Sequence, residues 1–243
     1  MASTSETGHA KNVANFQDLI SFVTGYGATY NPNKNALKLP QLNTLYTASQ
    51  TSLADVVTKN TAYNNKVNER VVAFKDLKSL STRLINALQT TDATSEKIAD
   101  AKAFNKKMQG VRAKAVKTPT DPSAPAPNTI STSQQSYDQL IQHLAGLTSI
   151  LEAETSYTPN ETDLQVATLQ TKIADLTAKN TAVATAYASI SNSRIARNET
   201  LYSSSTGLVE TANEVKKYIK SVFGASSPQF AQVKGIQFKI IKN

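Results

Sequence analysis

The 243-residue chain has only two histidines, His9 and His143, and no cysteine. Histidine is the side chain most suited to moving a proton or holding a metal near neutral pH. His143 lies in the run LIQHLAGLTSIL at 140–151. An aligned run, NFQDLISFVTG at 15–25, has Phe22 in its slot, so a core position is expected rather than a ligand or base role. His9 stands in a polar N-terminal stretch. Without Cys there is no thiolate chemistry and no disulfide, and a zinc site would need mostly carboxylate ligands. The chain holds no G-x-x-x-x-G-K-[ST], H-E-x-x-H or G-x-S-x-G pattern. Gly25-Tyr-Gly27 is a fragment of a phosphate loop with no third Gly, and the end of a helix explains it. Glu152 and Glu154, and Asp92, Glu96 and Asp100, have the spacing of solvated helix faces. No catalytic residue, cofactor site or metal site is assigned, and an enzyme is not expected.

Charge is the more informative chemistry. Lys and Arg number 26 against 18 Asp and Glu. Residues 101–117 contain Lys102, Lys106, Lys107, Arg112, Lys114 and Lys117 with no acid, and 215–243 contain Lys216, Lys217, Lys220, Lys234, Lys239 and Lys242 with no acid. These twelve are the candidate anion- or partner-binding residues. The rest of the chain has 14 basic against 18 acidic residues, a net of −4. Such local fields attract an acidic protein or an anionic polymer. Phe104, Tyr218, Phe223, Phe230 and Phe238 are interleaved, as single-strand stacking needs. They are equally explained as core, and nucleic acid is not the expected partner.

Long helices must position these residues. Leu42, Tyr46, Ser49, Leu53, Val56, Asn60, Tyr63, Val67, Arg70, Phe74, Leu77, Ser81, Leu84 and Leu88 alternate at spacings of four and three. From Leu169 a second series runs through Ile173, Leu176, Asn180, Val183, Tyr187, Ile190, Arg194, Arg197, Leu201, Ser204, Leu208, Thr211, Val215, Tyr218 and Val222. A mostly apolar stripe kept in this register is a coiled-coil pattern. No Gly or Pro interrupts the first between 41 and 89. The spacing therefore predicts one helix of roughly 75 Å and another of roughly 90 Å, with Gly207 weakening the second. Arg70, Arg194, Arg197, Asn60 and Asn180 on these stripes are expected to form polar layers that fix register, or to snorkel outward, in preference to an internal anion site.

The two stripes belong to two similar halves. Leu19, Ile20 and Gly25 match Leu140, Ile141 and Gly146; Y-x-P-N at 30–33 matches 157–160; KMQGV at 107–111 resembles QVKGI at 232–236. Repeated order points to an internal duplication. Between the halves, 118–128 carries four Pro in nine residues and reads as an extended connector. The expected organisation is a polar N-terminus at 1–10, helical units at 11–117 and 130–243 joined by a connector at 118–129, and the units packed as one domain. Shorter helices are expected near 12–24, 94–111 and 132–154, with a terminal strand or extended tail at 233–241. Ala, Thr, Ser and Asn supply 102 of the 243 residues, so small side chains line the helix contacts. The fold class is all-α: an elongated helical bundle or coiled-coil rod built from two related units.

The run NVANFQDLISF, the Y-x-P-N element and SVFGASSPQF…VKGIQF resemble a family of uncharacterised all-helical proteins common in Bacteroidota. The resemblance implies a bacterial, all-helical protein and brings no activity. The N-terminus lacks a basic region followed by an apolar one, so no Sec signal is read, and no window is apolar enough to span a membrane. A cytoplasmic location is expected, with export by a Sec-independent route as the alternative. The expected function is structural or interaction-based, through self-assembly as a homo-oligomer or higher assembly. The alternatives are a helical pore-forming protein, with 140–151 as its only releasable apolar hairpin, and a binder of anionic polymers.

Overall fold

The computed structural model describes residues 8–110 and 134–241. The expected connector at 118–129 and the candidate residues Arg112, Lys114, Lys117 and Lys242 lie outside them. The described residues are all-helical, with no strand. In chain order the helices are α1 (His9–Gly25), α2 (Leu39–Phe74), α3 (Leu77–Leu88), α4 (Ser95–Gln109), α5 (Tyr137–Glu152), α6 (Val166–Tyr202), α7 (Leu208–Phe223) and α8 (Pro228–Lys234). Thr94, Ser136 and Ser227 cap α4, α5 and α8, each hydroxyl accepting from a first-turn N–H.

The two long helices are shorter than the heptad stripes predict. At 1.5 Å per residue, the 36 residues of α2 and the 37 of α6 span roughly 54 and 56 Å. The first stripe breaks after Phe74. Asp76 takes the N-cap position of α3 without a side-chain cap bond, and Leu77 resumes the stripe in register. The second breaks at 203–207, where Gly207 precedes α7 in extended conformation. Its N–H bonds the Ser203 carbonyl at 3.0 Å. A Cβ on Gly207 would meet Ser203 N at 2.5 Å and Ser203 O at 2.6 Å, so this return of the chain needs glycine. Residues 233–241 form the end of α8 and an extended segment with no ladder.

The chain divides into two compact units. Unit 1 comprises 1–63 and 186–243, and unit 2 comprises 64–185. In unit 1, Phe16, Leu19, Ile20 and Val23 of α1 pack with Leu208, Ala212, Val215 and Ile219 of α7, and with Tyr30, Leu37, Leu42, Leu201 and Val233. Aromatic pairs close it: Tyr26 with Phe223, and Tyr30 edge-on to Tyr218, both at 5.2 Å between centroids. In unit 2, Leu77, Leu84, Ile85 and Leu88 of α3 pack with Leu144, Leu147 and Leu151 of α5, and with Met108, Tyr157, Leu169 and Leu176. Residues 140–151 thus send their leucines into a core.

One local device occurs in each unit. Tyr30 Oη donates to the Leu37 carbonyl at 2.7 Å, and Tyr157 Oη to the Leu164 carbonyl at 2.9 Å. A single 3-10 turn, 35–37 or 162–164, lies inside each bridge. Leu42 and Leu169, both fully buried, follow in the first turn of each long helix.

Candidate functional site

A groove of about 360 Å³ between α7 and α8 in unit 1 gathers several of the candidate lysines; it is lined by Glu210, Asn213, Lys216, Lys217, Lys220, Phe230 and Lys234. Four of the candidate lysines, Lys216, Lys217, Lys220 and Lys234, line it. Lys216, Lys217 and Lys220 lie at i, i+1 and i+4 on α7 and so share one side of the helix, and Lys234 ends α8. Their roles differ. The Lys216 amine donates to the carbonyls of Ile236 at 2.8 Å and Lys234 at 3.2 Å, and burial pushes its pKa down. It closes the end of α8 and does not reach for a ligand. Lys220 Nζ stands 5.8 Å from the Phe230 centroid, within cation–π range of that ring. Lys217, Lys220 and Lys234 are exposed, and they are the amines an anion would meet.

The other candidates separate from this group. Lys102, Lys106 and Lys107 sit exposed on α4 in unit 2. Lys106 and Lys107 fall in its last turn, where a cation offsets the helix dipole, and Lys107 Nζ lies 5.5 Å from the Phe104 centroid. Lys239 belongs to the extended segment after α8.

Of the stripe arginines, Arg70 bonds to an asparagine of the other stripe, the kind of pair the polar-layer reading expects. Arg70 Nη1 donates to Asn180 Oδ1 at 2.9 Å, and its guanidinium lies 4.0 Å over the Tyr137 ring. Asn180 Nδ2 in turn donates to Asp138 at 2.7 Å. Arg70 Nε has no hydrogen-bond partner among the described residues. Arg197 is buried and donates to Asn198 Oδ1; Arg194 is exposed.

His143 is buried, as its pairing with Phe22 predicts. Burial pushes its pKa below 6.5, and the Lys107 charge adds to this. Its Nε2 has no partner among the described residues, and the Phe104 ring is 6.3 Å away. No group of three His, Asp or Glu residues among the described ones converges as a metal site. No helix among them is long and apolar enough to cross a membrane.

Sequence reasoning missed Asn12 and Asn15. Both are buried on α1, and both grip the extended segment 236–241 through its main chain. The signal was available: two amides lie on the stripe formed by Val13, Phe16, Leu19 and Ile20, and a buried amide demands partners. Beside them His9 Nδ1 lies 2.7 Å from Tyr202 Oη. Burial, and then the charge of Arg197, pushes the His9 pKa down.

No protein-family model matches the chain, and neither a curated protein nor a solved structure matches it.

Proposed function

We propose that this protein is a non-enzymatic structural or interaction protein, an elongated two-unit helical rod that self-assembles through its long amphipathic helices. The observation that carries the reading is apolar surface on those helices. Val57 and Val72 of α2 are 66% and 70% exposed, and Tyr187 and Ile195 of α6 are 58% and 65% exposed. At about 100° per residue, Val71 and Val72 straddle the Val57 face of α2. Valine is a poor helix former, and at these exposed positions it adds nothing to either core. A covered surface accounts for its presence. The repeated tyrosine bridge and the matched starts of the long helices support a duplicated origin for the two sequence halves, 11–117 and 130–243.

Sedimentation velocity over a concentration series tests the reading. Wild type should form species larger than the monomer, and a chain carrying Val57→Glu with Val72→Glu should shift toward monomer while keeping its helicity. A wild type that stays monomeric at every concentration overturns it.

A second reading, binding of an anionic polymer, rests on the exposed amines of Lys217, Lys220 and Lys234 around one groove. Binding through phosphates or carboxylates must weaken steeply with salt. Titration of labelled polyphosphate at low and moderate salt, against wild type and the triple Lys→Glu chain, tests it. Equal binding by the two chains removes the groove from consideration.

A further inference from the structure

One helix seam is built in each unit and finished differently. In each, a lysine of the first helix holds the end of the second. Lys216 of α7 donates to the Lys234 carbonyl at 3.2 Å, and Lys78 of α3 to the Gln109 carbonyl at 3.3 Å. Gln109 and Lys234 are the aligned residues of KMQGV and QVKGI. In unit 2 the Gln109 amide closes the seam, donating to the Lys78 carbonyl at 2.8 Å and to Thr82 Oγ1 at 3.0 Å. In unit 1 a lysine stands in that place, and the seam stays open as the groove of about 360 Å³. Its exposed amines, Lys217, Lys220 and Lys234, have no ion pair among the described residues. Three like charges gathered at one open groove favour an anionic occupant.

Unit 2 carries surface of the opposite sign. Its 162–164 turn packs on α3, and Lys97 of α4 donates to the Ala153 carbonyl at 3.0 Å just past α5, so these segments share one end of the unit. Arg83 pairs there with Asp163, and Lys97 with Glu154, so these two cations are already taken. Asp92, Glu96 and Glu161 are exposed and have no ion pair among the described residues. Three open carboxylates thus answer three open amines, and every copy that brings the groove brings its complement.

We infer that the α7–α8 groove of one copy receives the acidic end of unit 2 of a second copy, through Lys217, Lys220 and Lys234 against Asp92, Glu96 and Glu161. The inference rests on the self-assembly reading and names its link. Because two different patches meet, the contact is heterologous and generates a ring or an open chain of copies. Exposed charges are screened by ions, so the link weakens as salt rises.

Charge reversal followed by sedimentation velocity tests it. Wild type should form a series of species beyond the dimer at low salt, and the series should shrink as salt is added. One chain carries Lys217→Glu, Lys220→Glu and Lys234→Glu; another carries Asp92→Lys, Glu96→Lys and Glu161→Lys. Each alone should associate at least roughly tenfold more weakly than wild type, with circular dichroism confirming retained helicity. Mixed, they should associate again, since the intact acids of the first meet the intact lysines of the second. A single chain carrying all six reversals should assemble like wild type. If wild type assembles and neither salt nor reversal changes it, the link is wrong and the self-assembly reading stands. If wild type and the mixture stay monomeric at every concentration and salt, both fail. Weakened chains that do not recover on mixing overturn the pairing of these two surfaces. A lysine-reversed chain that loses polyphosphate binding yet assembles like wild type makes the groove a polymer site and overturns the inference.

Discussion

Units 1 and 2 use one local device and seal it differently. In each, a tyrosine hydroxyl bridges to the leucine carbonyl seven residues on. An ion pair then flanks the turn with its polarity reversed. In unit 1 the cation is on the turn side, Lys34 donating to Glu214 of α7. In unit 2 the anion is, with Asp163 accepting from Arg83 of α3. Beyond this, unit 1 is closed by aromatic pairs and the clasped segment. Unit 2 is closed by a buried histidine and by Glu154, whose carboxylate accepts from Ser156 Oγ at 2.6 Å, Ser156 N at 3.1 Å and Lys97 Nζ at 2.9 Å. Both units contain aromatic pairs, Phe74 meeting Tyr137 at 4.7 Å in unit 2, and both contain a histidine whose pKa burial lowers, His9 in unit 1 and His143 in unit 2. The carboxylates held below their ordinary pKa, Glu69, Glu96, Glu154 and Asp163, lie in unit 2, so the loss of stability below about pH 4.5 should be concentrated there.

The largest break in the comparison comes from its core. Leu77 is fully buried in unit 2, so Leu77→Asp buries an unpaired carboxylate and should cost several kcal/mol. Lys78, exposed one position round the helix, should tolerate Asp within about 0.5 kcal/mol. Hydrogen exchange should show protection lost across α3 and α5 before α1 and α7. Equal melting temperatures for the two variants would contradict the assignment of the stripe.

Two aligned glycines sharpen the contrast. A Cβ on Gly146 would meet the Phe104 ring at 2.4 Å, whereas one on Gly25 has nothing within 4 Å. Gly146→Ala should destabilise by about 1–3 kcal/mol through overpacking, and Gly25→Ala should stabilise by about 0.4–1 kcal/mol. Thermal melts that move in the same direction would show that the α4–α5 approach is looser than described.

The smallest effect is pH dependence, and its direction follows from the shifts. Burial first, and Lys107 second, depress the His143 pKa below its ordinary 6.5. The unfolded chain then binds the extra proton, and stability falls as pH drops below 6.5. Glu154 is held down to about 2 from 4.5, by the Ser156 hydroxyl first and Lys97 next. Its contribution is present above 4.5 and is lost as pH falls from there toward 2. His143→Phe, which copies Phe22 of unit 1, should reduce the step that begins near pH 6.5 to the share of His9, whose pKa burial also lowers, and leave the acid step unchanged. A melting profile in which the step near pH 6.5 is undiminished by the substitution would remove His143 as a source of it.

The helices were legible because burial writes itself as spacing. Every position of the first stripe from Leu42 to Leu88 is buried or half-buried. The break at Lys75–Asp76 was not legible, since the stripe crosses it in register without Gly or Pro. Gly207 was visible as a weak point, but the break it makes, closed by a local bond from its N–H to the Ser203 carbonyl, was not, because the stripe continues across it in register. Tyr187, Arg194, Ser204 and Val222 keep the second stripe's spacing yet are exposed, because spacing extends past the surface a partner covers. The lysines of the groove were legible as a charge run, though not the commitment of Lys216 to two carbonyls. The Asn12 and Asn15 clasp joins residues more than 200 positions apart in sequence, and no local signal carries such a pairing.

Small-angle scattering over a concentration series tests the proposed self-assembly and rod shape most directly. A compact chain of this length has a radius of gyration near ~18 Å. The account predicts a value clearly above that at infinite dilution, rising further with concentration. A value near ~18 Å that does not change with concentration would contradict it.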